Sequence, residues 1–220
     1  MSNSNEHFWG FFHRTRSSIT DIPAAKLGKL TGPDHKNSEA VNGNGAVVRL
    51  SMTVRNFIFT GDATGKTTKR ILDNVSDAAK LKSRILMASH HGAETHETNS
   101  ASWALATSPE RVIFSAGLNS GLEHPRLQTV FNYLMLPSLE PGLDEHNVIF
   151  EQGLGPLAAG ILAHLTPDYL TDPEIYTHGA GLAAHDWIKA KTRKGIYSTT
   201  CTPAGEKGIS FNVALNGDIV

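Results

Sequence analysis

The chain predicts an α/β fold, a mixed β-sheet with flanking helices. Three features of its 220 residues lead there. Short apolar runs closed by Gly, Asn, Pro or Asp alternate with segments of helical period, the pattern of layered α/β domains. The first two runs stand three residues apart, which makes them an antiparallel pair. Several histidines and one aspartate fall just past the ends of buried-looking runs, at the sheet edge where α/β folds present ligands.

Taken in order, residues 1–30 form an N-terminal arm, aromatic in part but poorly periodic, and residues 31–220 form the domain. TGPDHKNSEAVNGNG (31–45) is a loop by its Gly, Asn, Pro and Asp content. AVVRLSM (46–52) and NFIFT (56–60) read as strands, and Gly61-Asp62-Ala63 ends the second. Ile71, Leu72, Val75 and Ala79 recur at helical spacing and predict a helix over 66–79. RILMA (84–88) is a strand that stops at Ser89-His90-His91-Gly92. A helix over 100–106 and strand RVIFS (111–115) follow, then a Gly/Asn/Ser loop to His124-Pro125 and a helix over 125–136, proline suiting a first turn. An insertion over about 137–194 is predicted to be helical, with short helices near 155–164 and 181–191. GIYST (195–199), GISFNVAL (208–215) and GDIV (217–220) return to strand, with Asn216-Gly217 a tight-turn signal.

Composition narrows the function classes. At 40% apolar and 19% charged the chain is ordinary globular protein and not disordered. Formal net charge is −1, so there is no basic excess of the kind that holds nucleic acid by its phosphates; such a partner would be met at a local site. The single cysteine, Cys201, excludes an intrachain disulfide and favours a reducing compartment. The longest apolar stretch, Gly153 to Leu165, falls short of the ~20 residues a bilayer needs. With no secretory signal pattern, the expectation is a soluble, cytoplasmic protein with no membrane partner.

The residues that carry chemistry stand in register. Asp62 follows FIFTG, His90 and His91 follow ILMAS, and Asn119 and His124 follow VIFSAG. Three successive strands would thus deliver an Asp or His to one edge. Imidazole and carboxylate are the ligands that Zn²⁺ or Mn²⁺ accepts.

These segments, NGNGAVVRL, NFIFTGDA, RILMASHHGAETH, RVIFSAGLNSGLEHP and GIYSTT with GISF, resemble the second half of a metallo-β-lactamase-fold hydrolase domain of the competence-protein (ComEC) type. The resemblance covers about 40–136 and 195–215. It implies part of an αββα sandwich and metal-assisted hydrolysis of a phosphodiester or related ester. By position, Asp62 resembles the family's bridging carboxylate, and His90-His91 its late metal-binding histidine. His124 resembles the histidine near the leaving group, with Asn119 and Ser115 shaping the same loop. The implied cofactor is Zn or Mn held by Asp62, His90 and His91; His124, His91 and Asn119 are the expected catalytic side chains. The chain departs from the family in lacking its first metal motif, H-x-H-x-D-H, and in reading HHGA where HHGS is usual. A closed zinc site wants four ligands. The remainder is expected from a second copy or a partner chain, unless the chain is a non-catalytic relative or lost its start.

Simpler roles compete at each position. Asp62 could cap the following helix, and His124-Pro125 could merely start one. His96 is a further ligand candidate. His146, His164, His178 and His185 read as surface or packing residues, a compensating ligand among them being the alternative. Trp103, Trp187 and the Phe8-Trp9-Phe11-Phe12 cluster read as core or interface, the arm suiting a partner or second subunit. Gly61 to Thr67 resembles a phosphate-binding loop one residue too short, which keeps a nucleotide-binding reading through Lys66 in play.

Overall fold

A computed structural model describes residues 42, 45–53, 55–118, 121–151, 169–199, 209, 211–214 and 216–219. In order these form β1 (Val48–Met52), β2 (Arg55–Phe59), α1 (Gly65–Asn74), β3 (Ile85–Met87), α2 (Ala101–Thr107), β4 (Arg111–Phe114), α3 (Leu127–Leu134), β5 (Pro141–Glu151), β6 (Thr171–His178), β7 (His185–Lys194) and β8 (Ile196–Ser198). One sheet runs β1-β2-β3-β4-β8. Its first pair is antiparallel and the rest is parallel, so the sheet is mixed, as expected. Because β2, β3 and β4 run the same way, the loops leaving their C-terminal ends share one edge of the sheet.

The opposite edge is held by charge. Arg55 opens β2, Arg84 precedes β3 and Arg111 opens β4. Arg84 pairs with Glu110 and, at 3.1 Å, with Glu140. Arg111 reaches the other Glu140 oxygen at 3.2 Å, and Arg55 reaches Glu110 at 3.0 Å. Glu140 also anchors backbone, since its carbonyl accepts from Gly195 N at 2.8 Å and its N–H donates to Glu110 O at 3.0 Å. A Cβ on residue 195 would lie 2.8 Å from Glu110 O, so this crossing of chains requires glycine.

The insertion is where the expectation fails. Its described residues are not helical: β5, β7 and β6 form a three-stranded antiparallel sheet, and 181–191 is a 3₁₀ turn (Gly181–Ala183) leading into β7. In β7, Ile188, Ala190 and Thr192 are buried while Lys191 and Arg193 are exposed, a period of two. The Ala, Lys and Arg content of that stretch suits a helix, but cross-strand pairing overrides such a weak propensity. The helix expected near 155–164 lies outside the described residues, as do the arm, its aromatic cluster, and Cys201.

The helix bounds also differ. Thr64 occupies the N-cap position of α1, which stops at Asn74; Asp77 then caps a separate turn by accepting from Ala79 N at 2.9 Å. α3 starts two residues beyond Pro125. Near the C-terminus the Asn216-Gly217 turn is present, flanked by a bridge between Val213 and Ile219.

Both sheets contribute to one core. Ile58, Leu86, Phe114, Trp103 and Tyr133 from the first half cluster with Val148, Phe150 and Ile188 from the second. Each such side chain contributes roughly 1.5–3 kcal/mol by leaving water, so the insertion is an integral layer. No helix among the described residues is long and apolar enough to cross a membrane.

Candidate functional site

The three loops at the C-terminal edge are stitched together by hydrogen bonds to backbone carbonyls. Thr60 Oγ1 donates to Met87 O at 2.7 Å, His90 N donates to Gly61 O at 2.8 Å, and Ser89 Oγ donates to Ala63 O. Arg126 N donates to Gly92 O at 3.1 Å, which brings in the segment before α3. Between these anchors the turn Ser89–Gly92 is strained. His90 (φ 48°) and His91 (φ 58°) are both left-handed, a conformation that costs about 1–2 kcal/mol per non-glycine residue. Gly92 has φ 89°, and a Cβ there would fall 2.6 Å from Pro125 Cβ and 2.8 Å from Phe114 Cδ1.

A buried asparagine holds this turn in place. Asn99 Oδ1 accepts from Ser89 N at 3.1 Å and from the Tyr133 hydroxyl at 3.0 Å. Its Nδ2 donates to Ser89 O at 2.9 Å and to Ala93 O at 2.7 Å. Both donors and both lone pairs of the amide are thereby used. Burial of the Tyr133 phenol raises its pKa and keeps it a donor. Sequence reasoning missed Asn99, which stands without a recognisable motif in a polar stretch.

The turn presents its two imidazoles to the edge. His91 Nδ1 lies 2.5 Å from the Ser115 carbonyl, so that nitrogen carries the proton and donates. His91 Nε2 faces Asp62 Oδ1 at 3.2 Å. A neutral ring in this tautomer would aim its Nε2 lone pair at a carboxylate, which is repulsive. The pair is satisfied either by a second proton on the ring or by a cation shared between nitrogen and oxygen. A histidine whose other N–H is spent on a carbonyl is the usual arrangement of a metal ligand, so Asp62 and His91 can offer a cation two ligands; His90 does not bring a third ligand atom within 4.8 Å of both.

The His90 ring lies 6.3 Å from His91 and 5.6 Å from His124, centroid to centroid. His124 is 8% exposed. Its pKa is depressed to about 4, first by burial and then by the nearby charge of His90, Arg126 and His91. The Glu123 backbone offsets this slightly. Even so, His124 Nδ1 is buried and has no hydrogen-bond partner of normal geometry among the described residues. His124 is therefore a neutral imidazole at physiological pH.

The fold thus gathers Asp62, His90, His91 and His124 at one edge, with the carbonyl of Ser115 orienting one of them. Asp62 is exposed and two residues short of the cap of α1, so capping does not explain it. Asn119 and the side chain of His96 lie outside the described residues, as does His164. His146 is a packing residue, stacked on Tyr197 at 4.3 Å.

No family model, curated protein or solved structure matches the chain. The reading of the edge rests on its chemistry. Beside it lies a cluster that sequence reasoning overlooked: Glu123, Glu151 and His185 offer ligand atoms within 4.8 Å of one another. Glu151 closes the apolar run NVIF, and an acidic residue ending a buried strand was the available signal. His185, read from sequence as a surface or packing residue, belongs to this group. A divalent metal could be held there too, through two carboxylates and one imidazole.

Proposed function

We propose that the chain is a metallo-β-lactamase-like, metal-dependent hydrolase of phosphoester bonds, nucleic-acid phosphodiesters among them. The observation that carries this reading is His91, whose Nδ1–H is committed to the Ser115 carbonyl while Nε2 faces Asp62 at 3.2 Å. In this reading Asp62, His90 and His91 hold Zn²⁺ or Mn²⁺. Such a cation supplies Lewis-acid polarisation of an ester oxygen and acidifies water toward neutrality. The chain's own groups do the rest. Ser115 and Asn99 fix the His turn. His124, neutral at pH 7, can accept a proton from an attacking water or donate a hydrogen bond to a leaving oxygen. One carboxylate and two imidazoles fall short of a four-ligand site, so a second copy of the chain or a partner completes it. The lone cysteine suits work in the cytoplasm.

The test is the metal content of protein purified without chelator, together with its mass in solution and hydrolysis of bis(p-nitrophenyl) phosphate and single-stranded DNA. On the order of one cation per chain is expected at this edge, and that equivalent and turnover should both be lost in Asp62→Ala and His91→Ala proteins of unchanged circular dichroism. Metal-free protein that stays inert when Zn²⁺ or Mn²⁺ is added would sink the catalytic reading. It would leave a binding or assembly module on the same scaffold.

A further inference from the structure

We propose that Glu123, Glu151 and His185 form a second divalent-cation site, one that ties the insertion sheet to the segment carrying His124. The three residues come from separate parts of the chain: the loop before α3, the last residue of β5 and the first residue of β7. His185 Nδ1 lies 3.6 Å from Glu123 Oε1, and His185 Nε2 lies 3.7 Å from Glu151 Oε1. These distances are too long for hydrogen bonds. Ligands about 2.1 Å from a common ion sit roughly 3–3.5 Å apart, so a small inward shift converts this cluster into a coordination shell.

Burial supplies the independent argument. The Glu151 side chain is 6% exposed, and its ionic neighbours are His185 at 3.7 Å and Arg126 at 4.0 Å. A carboxylate removed from water with counter-charges only at that range is poorly compensated. The buried His185 Nε2 likewise has no hydrogen-bond partner among the described residues. Arg126 pairs with the other Glu123 oxygen and brings one positive charge against two carboxylates. A divalent cation supplies the missing charge. Two carboxylates and an imidazole suit Zn²⁺ or Mn²⁺, with water in the open positions. Glu151 N donates to Pro125 O at 3.0 Å, so an ion here would fix the His124-Pro125 segment from the insertion side. This site stands apart from Asp62 and His91 and does not require the hydrolase reading.

The experiment is Zn²⁺ titration calorimetry, with metal analysis, on the full chain after chelator treatment and dialysis. The variants are Glu151→Gln, His185→Gln, Arg126→Gln and the pair Asp62→Asn/His91→Gln. The expected result is one class of Zn²⁺ binding that survives in Asp62→Asn/His91→Gln and vanishes in Glu151→Gln and in His185→Gln. Arg126→Gln should bind several-fold more tightly, because a competing cation is gone. If Glu151→Gln fails to fold, His185→Gln carries the test, its side chain being partly exposed. Zn²⁺ uptake unchanged in His185→Gln, or no uptake at all once Asp62 and His91 are replaced, overturns the proposal and leaves Arg126 and His185 to balance the two carboxylates. Loss of binding only in Asp62→Asn/His91→Gln speaks for the other site alone.

Discussion

His124 puts a buried imidazole where protonation is resisted by its surroundings, and that resistance must show in folding. In the unfolded chain the ring titrates near 6.5; in the fold it titrates near 4. Between those values the unfolded state takes up a proton that the native state refuses. The stability contributed by the neutral ring is whole above about pH 6.5, declines as pH falls toward 4, and is gone below. The loss can reach about 3 kcal/mol. Urea denaturation in chelator between pH 7 and 4 should therefore show a steeper decline for the native sequence than for His124→Gln. Parallel curves would mean that the ring is not kept neutral. Gly92 is the other residue with a sharp expectation. Gly92→Ala adds ~1–2 kcal/mol of left-handed strain and a further ~1–3 kcal/mol of overpacking against Pro125 and Phe114. A variant as stable as the native chain in the same assay would contradict the close approach.

The Ser89–Gly92 turn is a small element held by one side chain. Asn99→Ala would remove the side-chain partner of Ser89 N–H, the Ser89 carbonyl and the Tyr133 hydroxyl in a buried setting, while the Ala93 carbonyl keeps Thr129 Oγ1. Unpaired buried groups cost about 1–3 kcal/mol each, so a loss of at least 3 kcal/mol is expected, with amides of the turn losing protection in hydrogen exchange. Tyr133→Phe removes only one of these bonds and should cost about 1 kcal/mol. Equal effects of the two substitutions would show that Asn99 does not organise the turn. α3 matters to the site through this link, since Tyr133 lies on it.

The two edges of the main sheet divide their work. The C-terminal edge gathers imidazoles and a carboxylate; the N-terminal edge gathers Arg55, Arg84 and Arg111 against Glu110 and Glu140. Burial lowers the pKa of Arg84, though Glu140 opposes the shift. Arg84 and Arg111 have side chains only 10% and 6% exposed, and both lean on Glu140. Glu140→Ala should lower global stability by about 1.5–3 kcal/mol, read from chemical denaturation. Because the same residue joins β8 and the insertion to β4 by backbone bonds, its loss should not change the Asp62–His91 edge directly, and metal uptake there should persist. Abolished uptake in a folded Glu140→Ala protein would show that the edges are coupled.

Most of the main sheet was legible because its strands are short, apolar and closed by turn residues. Burial on both faces demands that pattern of parallel strands. The placement of Asp62, His90, His91 and His124 beyond strand ends followed from the same punctuation, since polar residues can leave a buried strand only at its end. The insertion was not legible. Its strands mix Lys, Glu, Asp and His with apolar residues such as Val148, Ile149, Phe150, Trp187 and Ile188, and the period of two in β7 appears only when it pairs with β5 and β6. Asn99, Arg84 and the Glu123–Glu151–His185 group were hidden for a related reason, as no local spacing joins residues brought together from distant segments. The sequence by itself determined an α/β chain with histidines and an aspartate at one sheet edge. Only the tertiary structure decided that the His turn is left-handed and clamped, that the insertion is a sheet sharing the core, and that Glu123, Glu151 and His185 meet. Local pattern reports what each segment buries, whereas a site is made by which buried segments meet.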